Sequence, residues 1–127
     1  MPRVSVIIPT YNRAHLIRQA LESALAQTCR DFEIIVADDG STDHTAEVVA
    51  QFGSAVTYIP LPHRDQPAAT RNGGLRVARG EFVAFLDSDD LFFPNKLALQ
   101  IAALEAHPHV MFRRAEHVAK CDSAFMW

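Results

Sequence analysis

In the stretch "EFVAFLDSDDLFFPNKL", Glu81 to Leu97, an apolar run ends in three carboxylates: Asp87, Asp89 and Asp90. Like charges this close repel one another, and the arrangement is unfavourable unless something positive sits among them. Aspartates two residues apart at a strand end suit a hard divalent cation, which takes oxygen ligands. A cation that also bridges phosphate oxygens keeps several waters and needs only one or two carboxylates from the protein. The missing positive charge is therefore expected to be Mg²⁺ or Mn²⁺ carrying a diphosphate.

Other polar residues cluster at the ends of further apolar runs. Thr10, Tyr11, Asn12 and Arg13 follow the first run, and Asp38, Asp39, Gly40, Ser41 and Thr42 follow the second. Arg71 and Asn72 lie between the third and fourth. Each cluster also has a plainer reading. Asp39-Gly40-Ser41 is an ordinary strand-to-helix turn with a cap. Arg71 suits a solvated helix face, and Asp90 suits a cap for the helix that begins near Pro94.

The elements that must position these residues alternate. "RVSVIIP" (Arg3 to Pro9), "FEIIVAD" (Phe32 to Asp38), "AVTYIPL" (Ala55 to Leu61) and "EFVAFLD" read as strands, and "HVMF" as a possible fifth. Between them, apolar residues recur at helical spacing from Ala14 to about Gln27, with Asn12 as the expected cap. Ser41 or Thr42 is expected to cap a helix carrying Ala46, Val49 and Phe52. Ala68 to Arg79 is a third helix, weakened at Gly73 and Gly74, and a fourth runs from Pro94 to about Ala106. Nearly continuous apolar strands alternating with helices predict an α/β fold: a mostly parallel sheet with helices on both faces. In such a sheet ligands bind beyond the carboxyl ends of the strands, so all the polar clusters can border one crevice.

The totals fit one soluble domain of 127 residues. A net charge of -3 provides no field to draw nucleic acid. Cys29 and Cys121 are too few for a disulfide framework, and no apolar run approaches the ~20 residues of a membrane span. "MPRVSVIIP" is too short and strand-like for a signal peptide. The expected location is cytoplasmic, which leaves room for work at the inner face of the membrane. His107, His109, His117 and Cys121 invite a zinc reading, but their spacings match no common structural site.

Three segments together carry a specific resemblance: "VSVIIPTYNRAHLIRQALESALAQT", "FEIIVADDGSTDHTAEVV" and "ATRNGGLRVARGEFVAFLDSDDLFFPNKL". From Val4 to Pro108 the chain resembles the nucleotide-binding half of inverting family-2 glycosyltransferases with the Rossmann-like GT-A fold. The resemblance implies that a nucleoside-diphosphate sugar, most often a UDP-sugar, binds with Mg²⁺ or Mn²⁺ for transfer to an acceptor hydroxyl. By it, Pro9, Thr10 and Tyr11 wall the nucleoside, and Asp39 accepts a hydrogen bond from the base. Arg71 reaches the nucleotide, and Asp87-Ser88-Asp89 is the DxD motif. Asp89 is then the direct metal ligand, Asp87 contacts ribose or metal-bound water, and Asp90 supports the cluster.

The expected organisation is a donor-binding half over residues 1–112 and an atypical tail over 113–127. No segment after Asp90 matches the acceptor-side motifs, so the catalytic base is unassigned and the acceptor, whether saccharide, lipid or protein, unnamed. The chain reads as a fragment of a longer enzyme, or as a short form with little transfer beyond slow sugar-nucleotide hydrolysis. Val118, Phe125, Met126 and Trp127 would gain by burial, which raises the expectation of a homo-oligomer. Two other readings remain. One is a non-catalytic nucleotide-sugar binder using the same site. The other is a receiver-like phospho-acceptor domain, which would need an acid pair after the first strand where Pro-Thr-Tyr-Asn stands.

Overall fold

The computed structural model describes residues 2–106. The expected fifth strand, the tail and the histidine–cysteine grouping lie outside the described residues. Four strands, β1 (Val4–Thr10), β2 (Phe32–Asp38), β3 (Thr57–Pro60) and β4 (Phe82–Phe85), form one parallel sheet in the order β3-β2-β1-β4. The helices are α1 (Ala14–Leu25), α2 (Thr45–Ala50), α3 (Pro67–Val77) and α4 (Lys96–Ala106).

β1 lies in the middle, paired from Val4↔Phe32 to Thr10↔Asp38 on one side and from Val4↔Phe82 to Ile7↔Phe85 on the other. Its residues Val4, Val6, Ile7 and Ile8 are buried on both faces, which is why the run lacks polar alternation. The steps β1 to β2 and β2 to β3 move one way across the sheet, and the step β3 to β4 moves back past β1. Right-handed crossovers therefore place α1 and α2 on one face and α3 on the other. Helices α1 and α2 touch each other, whereas α3 packs on β1 and β2. A Cβ on Gly74 would lie 2.7 Å from Ile7 Cγ2, so glycine lets α3 settle directly on the sheet. A Cβ on Gly73 would lie 2.6 Å from Leu61 Cδ1, so both glycines answer to close packing, although each costs about 1 kcal/mol of helix propensity.

The helix starts differ from the sequence reading. Asn12 does not cap α1; it adopts a left-handed φ of 50° and uses its side chain to accept from Thr42 N (2.8 Å) and Asp43 N (3.3 Å). The α1 start is met instead by Asp43, whose Oδ2 accepts from Ala14 N at 3.1 Å. Asp43 Oδ1 also accepts from Thr45 N at 3.0 Å, so it, rather than Ser41 or Thr42, serves α2. Hydrogen bonds from Thr45 and Ala14 outweigh the effect of burial and hold the Asp43 carboxyl below its ordinary pKa. Helix α2 ends before Phe52, which still packs against the core.

Asp90 does not cap α4. The buried Gln27 at the end of α1 does the joining: its Oε1 accepts from Leu97 N (3.0 Å) and its Nε2 donates to Phe93 O (2.8 Å). Ser23 Oγ accepts from Phe92 N at 3.1 Å. These bonds fasten the loop after β4 to α1 and so fix where the acidic cluster sits.

Candidate functional site

The strand order doubles back between β1 and β4, and an open parallel sheet leaves its crevice at such a point. A cavity of about 270 Å³ opens there. β1 contributes Pro9, Thr10 and, just beyond, Tyr11 and Arg13. Asp39 enters from the end of β2, and Asp87, Ser88 and Asp89 from the loop after β4. The first turns of α3 supply Gln66, Pro67, Thr70 and Arg71, so the positive end of that helix faces the same space.

Strand alternation separates the two neighbouring aspartates. Asp38 points to the α1–α2 side, where Ser41 N (3.0 Å), Ser41 Oγ and the Tyr58 hydroxyl donate to it. Burial, and then the bond to Asp38, push the Tyr58 phenol well above its ordinary pKa. Asp38 is thus used up inside the fold. Asp39 points the other way, towards the cavity. Its carboxylate accepts from Arg64 N (2.9 Å) and Asp65 N (3.1 Å), and His63 Nδ1 lies 3.1 Å from Oδ2. The loop after β3 therefore folds back onto Asp39, with Asp65 at a φ of 53°.

The other end of the cavity is different. Asp87, Asp89 and Asp90 are exposed, and each offers a carboxylate oxygen within 4.8 Å of the others. Ser88 between them is buried. Arg71 Nη2 lies 3.8 Å from Asp87 Oδ1, and its guanidinium carbon sits 5.7 Å from the Phe85 ring centroid. Three oxygen donors converging in an exposed, mutually repelling group fit a hard divalent cation. A larger opening of about 590 Å³ adjoins on the α4 side, with the exposed Leu91, Phe93 and Leu99 on its wall. Arg71 and Asp87 border both spaces, but the polar groups converge in the smaller one.

The residues to which the resemblance gave nucleotide or metal contacts, Pro9, Thr10, Tyr11, Asp39, Arg71, Asp87, Ser88 and Asp89, line the smaller cavity, whereas Asp90 lines the larger one. Asn12, Ser41 and Thr42 are not brought there; they knit the β1–α1 and β2–α2 loops together. Asn72 lines a separate depression with Arg76. Sequence reasoning missed Gln66 and Thr70, which face the cavity because α3 starts there. It also passed over His63, whose ring stacks on Tyr11 with centroids 4.4 Å apart.

The model of Glycosyl transferase family 2 matches residues 5–124. The chain belongs to that family. Among curated relatives, an uncharacterized glycosyltransferase of Rickettsia bellii is 42% identical over 124 residues, covering 93% of this chain and 18% of the relative. Among solved structures, S. aureus TarS 1-349 in complex with UDP superposes with a TM-score of 0.77 at 35% identity, covering 84% of this chain and 33% of that one. The mannosyltransferase PcManGT from Pyrobaculum calidifontis, in complex with GDP-Man and Mn²⁺, gives 0.76 at 37% identity, covering 81% and 32%. The parallel sheet and its helices are those of the GT-A glycosyltransferases. The chain spans about a fifth of the length of the Rickettsia relative and about a third of the two solved chains. Among the described residues no helix is long and apolar enough to cross a membrane.

Proposed function

We propose that this family-2 domain binds a nucleoside-diphosphate sugar, with UDP as the nucleotide, as the donor in glycosyl transfer. The observation that carries the reading is the single cavity lined by the Tyr11 ring, the Asp39 carboxylate, Arg71 and the Asp87–Asp89 pair. Tyr11, with Pro9 and Thr10, walls the nucleoside. Asp39 accepts a hydrogen bond from the N–H of the base. Arg71 and the α3 start face the phosphates, where a guanidinium and free helix N–H groups suit anionic oxygen. Asp89, with Asp87, holds Mg²⁺ or Mn²⁺.

In sugar transfer, negative charge grows on the leaving phosphate as the glycosidic bond breaks. A bound cation would stabilise that charge more in the transition state than in the ground state. Arg71, 3.8 Å from Asp87, would add positive charge near the same phosphates. Inversion also needs a base on the opposite face of the sugar to take the acceptor proton.

Thermal unfolding of the chain tests the reading. Ligand at a hundred times its Kd stabilises by about 2.7 kcal/mol. UDP with Mn²⁺ should raise the Tm clearly, and UDP with EDTA should raise it much less. Acetyl phosphate with Mg²⁺, the ligand of the receiver-like alternative, should leave it unchanged. No shift with UDP and Mn²⁺ would overturn the proposal.

A further inference from the structure

His63 belongs to none of the roles above, yet it touches two of the groups that would meet the base. Its ring stacks on Tyr11 at 4.4 Å between centroids, with the planes 22° apart. Its Nδ1 lies 2.8 Å from Asp39 O and 3.1 Å from Asp39 Oδ2. Both partners are acceptors only, so Nδ1 carries the proton and donates to them. Tyr11 and Asp39 line the cavity and His63 does not, so the histidine backs both from outside. The fit around it is close. Gly40, at a φ of 74°, passes so near that a Cβ there would lie 3.0 Å from His63 Cβ and from His63 N.

We infer that His63 is a positioning residue for recognition of the nucleobase. It holds the Tyr11 ring and the Asp39 carboxylate in the one relative geometry that meets a planar base. The inference rests on the nucleotide-binding reading and extends it to a residue of the loop after β3. The physical reason is preorganisation. A stacked partner restricts the rotation of Tyr11, and a donated hydrogen bond restricts the rotation of Asp39, so neither freedom has to be given up when the nucleotide binds. The effect is expected at the base end of the cavity, because the groups His63 is seen to hold are Tyr11 and Asp39, the two proposed to meet the base.

Two ligands separate this role from a general structural one. UDP has base and diphosphate; pyrophosphate has only the second. Both are titrated calorimetrically with Mn²⁺ into wild type, His63→Ala and His63→Phe, with urea unfolding of each protein alongside. His63→Ala should weaken UDP about five- to tenfold, the scale of a lost ring stack with a lost hydrogen bond, while pyrophosphate stays within about twofold. His63→Phe restores the stack without the donor and should recover part of the UDP affinity. Equal weakening of both ligands, or UDP binding unchanged in His63→Ala, would overturn the positioning role. Should His63→Ala fold poorly, the UDP-to-pyrophosphate ratio of His63→Phe decides on its own: a ratio equal to that of wild type denies a part for the hydrogen bond, and the inference fails. Wild type that binds neither ligand would sink the nucleotide reading itself, an outcome distinct from either variant result.

Discussion

The two acidic ends of the cavity are built in opposite ways. Asp39 is buried, its side chain 9% exposed, and the protein supplies its partners: two backbone N–H groups and a histidine. Asp87 is 55% exposed on its side chain, Asp89 and Asp90 stand exposed beside it, and the ion pair from Asp87 to Arg71 is a long 3.8 Å. The first carboxylate is already satisfied by the fold and has spare acceptor capacity for one more donor. The second group is unfavourable as it stands, and a ligand that brings positive charge improves it. A site that reads a neutral base at one end and a metal diphosphate at the other calls for that asymmetry.

Removing the satisfied carboxylate should therefore damage the protein as well as the site. Asp39→Ala leaves Arg64 N and Asp65 N without their acceptor, and urea unfolding should show a loss of about 1–3 kcal/mol. UDP affinity should fall with it. The sequence allowed two readings of Asp39, as a base reader or as part of its own strand-to-helix turn; in the structure its carboxylate instead bonds the loop after β3 and lines the cavity. A variant of unchanged stability would mean that the loop does not depend on Asp39, and the contrast between the two ends would weaken.

A smaller effect is expected one residue on. Gly40→Ala forces a side chain into a left-handed backbone, at about 1–2 kcal/mol, and presses its Cβ on His63. UDP binding should weaken more than pyrophosphate binding, because the displaced histidine serves the base end. Equal weakening of both would detach Gly40 from base recognition.

How much of this was legible depended on whether the signal was local. β2 is a continuous apolar run closed by Asp-Asp-Gly, and its observed range, Phe32–Asp38, matches the expected one. The cavity residues on β1, β2 and the loop after β4 could be grouped because parallel strands bring their carboxyl ends to one side whatever the sequence distance. The helix caps were misread for the opposite reason. Asp43 bonds Ala14, 29 residues earlier in the chain, and Gln27 bonds Leu97, 70 residues later. Residue type alone cannot point across such distances. His63 was hidden in the same way. In "PHRDQP" it reads as a solvated loop residue, and only the fold-back of that loop onto Asp39 reveals its contacts. The different fates of Asp38 and Asp39, by contrast, follow from strand alternation once one of the two is known to face the core.

The account stands most directly on Asp89. Calorimetry of UDP binding in Mn²⁺ and in EDTA, for wild type, Asp39→Asn and Asp89→Asn, measures the increment due to metal separately from affinity itself. Exposed and crowded by like charge, Asp89 should be replaceable within about 0.5 kcal/mol of stability, so the variant will be folded. The increment should be large in wild type, persist in Asp39→Asn despite its weaker UDP binding, and vanish in Asp89→Asn. An increment that survives Asp89→Asn undiminished would contradict the assignment of the metal to this end of the cavity.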